Sequence, residues 1–355
     1  MTTSIFAFII VLGILIFFHE LGHFLIARLF GVGVQTFSLG FGPRILGKKV
    51  GITDYRISAV PLGGFVKMVG EEPNAQLEPE EIPLSFTHKH VLKKILIVAA
   101  GPFFNLLLAV IIFYGIFQIS GLYIRQPVVG SVESGTPAAE SGLQAGDRIV
   151  AINNQPLESW EEMAAIISES QGESLSFTIN RNDETLQTRI TPESREDQNL
   201  FGEAITRYVI GITSSSEVVS QKLNPFEAIH ESIVQTYRIT ELTIVSIVKL
   251  IQGTLSTKTL GGPIMIAELA GQQAREGALN LLFFTALLSI NLAILNFLPI
   301  PVLDGGHLVF FFIELVTGKP VNMRVREIAQ QAGIFFLLLL MILVFYNDIT
   351  RYFFN

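Results

Sequence analysis

Three residues within five positions carry the first chemistry legible in this 355-residue chain: His19, Glu20 and His23, in the stretch IFFHELGHFL at 16–25. On a helix, His19 and His23 stand four residues apart and project from one face. Two imidazoles at that spacing can take two positions around a tetrahedral zinc ion. Glu20 beside them then serves as general base on a water molecule and later delivers the proton to a leaving amine. The surroundings sharpen the reading. From Ile5 to Phe30 the chain is otherwise nearly all Ile, Leu, Phe, Val, Ala and Gly, and ionisable side chains inside such a run are costly and mark function.

A zinc site needs a third protein ligand. The segment NLAILNFLPIPVLDGGH at 291–307 closes another apolar run with Pro299 and Pro301, which end a helix and free backbone groups near a membrane face. Asp304, just beyond them, can turn towards the two histidines, giving two imidazoles, one carboxylate and a fourth position for water. His307 is the competing ligand three residues on. The plainer alternative has Asp304 only capping the helix that follows, a position Asp favours.

The elements that must position these residues are membrane helices. Half of the residues are hydrophobic and 15% are charged, against about 25% in an ordinary soluble domain. The net charge of −7 comes without a basic stripe, which leaves nucleic-acid binding without support. With no cysteine, the chain has neither a disulfide framework nor a thiolate metal ligand. Four stretches, 4–30, 95–121, 279–298 and 333–346, are apolar candidates to cross a bilayer, which takes about 20 helical residues. The last is short and leans on its flanks. The first has no basic leader and no small-residue cleavage site, so it reads as a retained span rather than a signal peptide.

Between the second and third spans, residues 126–192 alternate apolar and polar with Gly, Asn and Asp turns, as β-structure does. Residues 224–252 place apolar side chains at helical spacing, with Glu231, Arg238 and Lys249 among them. That pattern fits an amphipathic helix at the membrane surface, with a fifth span as the alternative. Arg44, Lys48, Lys49, Arg56, Lys67, Lys89, Lys93 and Lys94 lie between spans one and two, and Lys319, Arg324 and Arg326 between spans three and four. The positive-inside rule puts both links in the cytoplasm and the β-rich domain and both termini outside.

With these motifs in place, the chain resembles the bacterial site-2 proteases, in the RseP-like branch of intramembrane zinc metalloproteases. HELGH at 19–23 matches that family's first zinc motif and NFLPIPVLDGG at 296–306 its second. The resemblance implies one zinc ion per chain, with His19, His23 and Asp304 as ligands and Glu20 as catalytic base. It also implies substrate contacts at Asn291, Asn296, Pro299, Pro301 and Asn105, where a buried amide can bond an extended peptide or steady a developing oxyanion. For Asn291 an interhelical hydrogen bond is an equal alternative. GPFFN at 101–105 resembles the family's G-x-x-x-N element, with Gly101 allowing close helix approach and Asn105 bonding across to a neighbour near the substrate. DYRISAVPLGGFVKMVGE at 54–71 resembles its membrane-associated β-hairpin, and residues 55–60 offer an edge to which an unwound substrate can add as a strand. An ordinary surface hairpin is the alternative.

PVVGSVESGTPAAESGLQAGDRIVAINNQPLESWEEM at 127–163 resembles a circularly permuted bacterial PDZ domain. Its groove is expected between the strand near 128–132 and the helix beginning near Trp160, and it takes a peptide or a C-terminal tail, or filters substrates by size. The expected architecture is a polytopic α-helical membrane protein of about four transmembrane helices, with the hairpin and a single inserted α/β PDZ domain. A first membrane half (1–121) holds the HExxH helix (4–30), the cytoplasmic-side hairpin region (31–91) and the second span (95–121). The PDZ domain (122–195), then a linker and amphipathic helix (196–277), precede a second half (278–355) with the LDG motif and spans 279–298 and 333–346. The implied activity is cleavage of transmembrane segments of single-span proteins in the bacterial inner membrane, such as anti-sigma factors or remnant signal peptides. The PDZ domain would lie outside and the active site towards the cytoplasm. Two other readings stand beside it: a zinc protease acting on soluble cytoplasmic peptides, and a non-catalytic membrane PDZ receptor.

Overall fold

The structure, a computed structural model, describes residues 2–72, 76–199 and 201–354. Its chain forms two compact units, one of residues 1–116, 229–248 and 256–355, the other of residues 117–228 and 249–255.

The first unit is mainly helical. Four of its helices are long and apolar enough to cross a membrane: α1 (Thr2–Leu29), α2 (Val91–Ser120), α7 (Ala278–Phe297) and α9 (Met323–Phe354). They coincide with the four expected stretches, but two run further. α2 begins at Val91 because Lys94 is drawn into the protein by an ion pair, and α9 continues through Arg324, Arg326 and Glu327, residues that keep a helix going without adding apolar signal. Much of the apolar surface of α9 faces outward, with Phe335, Leu338 and Ile342 each more than half exposed. Water would not tolerate a patch of that size, whereas lipid does. Two shorter helices, α6 (Pro263–Glu276) and α8 (Asp304–Thr317), complete the set with α5 (Pro225–Ile251), which forms over the expected amphipathic stretch and is not among the four.

The segment after α1 forms β1 (Val34–Val50) and β2 (Thr53–Met68), and its ladder is folded over on itself. Residues 36–39 lie opposite both 64–67 and 54–57, while 44–50 lie opposite 53–58. Gly40 and Gly42 make this possible: φ of +92° and +85° turns β1 back, and a Cβ on Gly40 would sit 2.8 Å from the Ser58 carbonyl oxygen. The consequence corrects one expectation. Residues 55–57 are paired on both sides, with 37–39 and with 46–48, so no free edge runs along 55–60. Among the described residues the two outer edges of this folded ladder are instead 64–68 and 44–50, and 64–68 is the one beside α1. Val34, Phe37, Val66 and Met68 pack with Ala27 of α1, Ile97 of α2 and Phe311 of α8 into one buried cluster, which ties the hairpin to three helices.

The second unit is rich in strands. A four-stranded antiparallel sheet has the order β6 (Gln155–Pro156), β5 (Arg148–Ile152), β7 (Leu175–Arg181), β8 (Glu184–Ile190). Helix α3 (Pro137–Glu140) and helix α4 (Trp160–Glu169), capped by Ser159, contribute Ala138, Met163 and Ile167 to a core with Ile149, Phe177 and Ile190. This unit runs beyond residue 195. β9 (Glu193–Gln198) pairs with β10 (Ala204–Val209), β11 (Ile212–Ser214) with β4 (Val129–Val132), and β12 (Val218–Gln221) with β3 (Leu122–Arg125). These late strands alter the expected groove. α4 packs against β10 and β3, while β4 is occupied by β11.

Candidate metal centre

α1 presents His19, Glu20 and His23 on adjoining turns deep in its length, with Glu20 and His23 buried. The next helix in sequence approaches α1 without side chains between the backbones. A Cβ on Gly22 would fall 2.3 Å from the Ala100 carbonyl oxygen of α2, and one on Gly101 would fall 2.2 Å from His23 Nε2 and 2.9 Å from His19 Cε1. Gly101 therefore forms a wall against which both imidazoles lie, and only glycine fits there. Pro102 follows it inside the helix and has no N–H for the carbonyl one turn back. On the same stretch of α2 the Ile97 carbonyl accepts the Nδ1–H of His23 at 2.9 Å. That bond fixes the tautomer and leaves the Nε2 lone pair facing inward.

The third group arrives from a distant part of the chain. α7 ends at Phe297, Leu298 is extended, and the Pro299–Pro301 segment turns into α8, whose first residue is Asp304. Gly305 and Gly306 let this turn close tightly: Cβ atoms there would lie 2.2 Å from the Leu298 oxygen and 2.3 Å from the Ile300 oxygen. Asp304 does not cap α8 through its side chain. Its Oδ2 lies 3.2 Å from His19 Nε2 and 3.5 Å from His23 Nε2, and the two Nε2 atoms are 3.4 Å apart.

These three edges test the fit to a metal. Four ligands at zinc's 2.0–2.1 Å stand about 3.3 Å from one another in a tetrahedron, and the observed triangle matches one face of it. Asp304 Oδ2 is also buried without a hydrogen-bond partner, as a carboxylate oxygen reserved for a cation would be. Among the described residues this is the one such cluster of His, Asp and Glu, and it does not include His307. The donor set of two imidazoles and a carboxylate, leaving a fourth position of the tetrahedron, suits zinc in a site that binds water or substrate.

The other residues singled out from the sequence are distributed around this centre. Asn105 of α2 is fully buried, its side-chain Nδ2 3.4 Å from His19 Nδ1, and its backbone carbonyl accepts from the Ser289 hydroxyl of α7 at 2.7 Å. Asn291 Oδ1 accepts from Thr243 of α5 at 3.1 Å, the interhelical bond that was its alternative. Asn296 sits half-buried in the last turn of α7. Pro301 packs on Gly306 and on Gly333 of α9, and Pro299 is exposed.

Two features were not anticipated. Gly64, on an outer edge of β2, borders α1 so closely that a Cβ would lie 3.0 Å from Glu20 Cγ and 2.7 Å from Ile16 Cγ2. At the far end of that edge, the Glu71 carboxylate accepts from the Met68 N–H at 3.0 Å. The second is a buried ion pair. Lys94 of α2 meets Glu314 of α8 at 2.6 Å, over the Phe311 ring, anchoring the helix that carries Asp304. The GFGP bend at 40–43 was a local signal for the first; nothing local signals a pair so far apart in sequence.

Comparison with known proteins gives a consistent set. The profile described as Peptidase family M50 matches residues 7–340. A protein of Mesorhizobium japonicum is 35% identical over 357 residues, covering 96% of this chain and 97% of its own. One from Campylobacter jejuni is 38% identical over 345 residues, 97% and 93% of the two chains, and one from Rickettsia conorii is 37% identical over 361 residues, 99% of each. All three carry provisional names as zinc metalloproteases. Among solved structures, the PDZ domain of the SdrC-like protein of Listeria monocytogenes matches 25% of this chain and 87% of its own, at 26% identity and a TM-score of 0.21.

Proposed function

The chain belongs to peptidase family M50, and from that premise we propose an intramembrane endopeptidase in which His19, His23 and Asp304 hold one zinc ion and Glu20 is the catalytic base. The observation that carries the reading is the triangle of donor atoms at 3.2, 3.4 and 3.5 Å, set among apolar helices, three donors that leave a fourth position of a tetrahedron for water or substrate. Bound there, zinc would polarise the scissile carbonyl and ease deprotonation of the attacking water. Glu20 takes that proton and passes it to the departing amine nitrogen, its carboxylate kept from bulk water by α1 and the β2 edge. The Ile97 carbonyl holds His23 in the tautomer the site needs.

A peptide bond inside a helix is shielded, so the substrate segment has to be opened before it can be attacked. The unpaired edge at 64–68 lies beside Glu20 and supports a role in holding such a segment as an added strand. Asn296, with Pro299 and Pro301 in the turn before Asp304, lines the approach from the other side; Asn291 acts through its bond to α5. The substrates are transmembrane segments of single-span proteins in the bacterial inner membrane, anti-sigma factors and remnant signal peptides among them. By the positive-inside rule the metal centre opens towards the cytoplasm. The strand-rich unit lies outside and, as a PDZ-like domain, admits trimmed substrates by size or by holding a tail.

The test is a paired assay on purified protein in detergent, measuring zinc content and cleavage of a fused transmembrane segment. Glu20→Gln is expected to keep zinc and lose cleavage, and Asp304→Ala to lose both. Wild-type protein that binds no zinc, or Glu20→Gln that cuts at the wild-type rate, would overturn the assignment. A short soluble peptide cleaved as efficiently as the transmembrane segment would remove its intramembrane part.

A further inference from the structure

Asn105 lies behind His19, at the Nδ1 side of a ring whose Nε2 faces Asp304. It is fully buried on α2, and its Nδ2 sits 3.4 Å from His19 Nδ1 while its Oδ1 is buried with no hydrogen-bond partner. Both facts point to the same conclusion. If His19 gives its Nε2 lone pair to a metal, its Nδ1 carries the proton and is a donor. An amide nitrogen is also a donor, so that pairing sets two donors against each other. The two ends of an amide have nearly the same shape, and only the hydrogen-bond network distinguishes them. A half-turn of the Asn105 amide puts the orphaned Oδ1 at His19 Nδ1–H, which gives both atoms a partner at once.

We propose that Asn105 is the positioning residue for His19, accepting its Nδ1–H and so holding Nε2 as the metal-facing atom, as the Ile97 carbonyl does for His23. The two zinc histidines are thereby both oriented by α2, from residues 97 and 105, with Gly101 packed against both rings between them. Ser289 of α7, donating to the Asn105 carbonyl, fixes the backbone from which the amide projects. This assignment rests on the zinc reading above and replaces a substrate contact at Asn105 with an orienting one.

The experiment compares full-length wild type, Asn105→Leu and Asn105→Asp in detergent, by competition for zinc against a chelator, by the absorption spectrum with cobalt in place of zinc, and by kcat and KM. Asn105→Leu removes the acceptor and is expected to weaken zinc binding roughly 10- to 100-fold, the usual effect of losing a partner behind a metal-bound histidine. Asn105→Asp keeps an acceptor but has no donor, and is expected to hold zinc as tightly as wild type with an unaltered cobalt spectrum. If Asn105→Leu binds zinc like wild type and instead raises KM, the residue contacts substrate and the inference is wrong. If Asn105→Leu does not fold, the Asp variant decides: loss of zinc there means that the amide is needed as a donor, which also overturns it. Wild type that binds no zinc would sink the proposed function itself, a result distinct from either.

Discussion

Replacing Gly101 by alanine adds a single methyl group at the most crowded point of the metal centre. The new carbon would lie 2.2 Å from His23 Nε2, where ordinary contact begins at 3.4 Å, so the ring or the helix has to retreat by about 1.2 Å (3.4 less 2.2). The helices cannot supply that movement cheaply, because Gly22 already sets α1 against the Ala100 carbonyl. Metal–ligand distances hold to about 0.2 Å, and a 1 Å misplacement at a reacting centre costs on the order of 100-fold. A loss of at least that size in zinc affinity, about 2.7 kcal/mol, is therefore expected, with cleavage falling at least in step. The assay is zinc competition against a chelator, beside cleavage of a fused transmembrane segment. Gly115→Ala is the control: it is on the same helix with nothing within 4 Å of its added Cβ, and alanine's better helix propensity should leave stability equal or raise it. Gly101→Ala protein with wild-type zinc affinity and rate would show that the His23 ring does not sit at the metal, and the site would have to be redrawn.

Three other perturbations probe the supports. Lys94→Met leaves Glu314 unpaired in the interior and should cost about 3 kcal/mol in thermal or denaturant unfolding, most of it recovered in Lys94→Met/Glu314→Leu; single variants as stable as wild type would show the pair to be incidental. Asp348 of α9 accepts from the N–H groups of Gly262, Ile264 and Met265 at the start of α6. Asp348→Ala should cost about 1–2 kcal/mol and speed hydrogen exchange at those amides, and unchanged exchange would refute the capping role. In the strand-rich unit, burial works against the Asp147 carboxylate, but two bonds from Arg181 and one from the Gln144 N–H outweigh it and hold its pKa below the usual range. Its contribution is full above the unfolded value of about 3.9 and disappears as pH falls through the lower folded value. The stability gap between wild type and Asp147→Asn at pH 7 should close on acidification, and a gap independent of pH would contradict it.

What the sequence disclosed depended on how local the signal was. His19 and His23 are legible because four-residue spacing fixes a common helix face, and Asp304 because an acid just beyond two prolines in an apolar run has few reasons to be there. The four long helices follow from composition alone. The hairpin's edge was misread because 55–60 alternates well, whereas its pairing depends on the fold-back at Gly40 and Gly42, which brings two distant partners to the same strand. Strands β11 and β12 escaped for a similar reason: each is short and exists only by pairing with residues some 80 to 100 positions earlier. The Lys94–Glu314 pair and the Thr243–Asn291 bond join separate helices, and no periodicity within either helix announces its partner.

The wide separation in sequence of the three proposed ligands also bears on how the protein is made. Residues 19 and 23 are synthesised well before Asp304, some 280 positions later in the sequence. Until then α1 holds a glutamate and two histidines in lipid without their third companion, an arrangement that leaves a half-made chain poorly settled. Closing the site is thus one of the last events of assembly. A truncated product, or one whose second membrane half fails to insert, has no complete metal centre and no peptidase to release in the membrane.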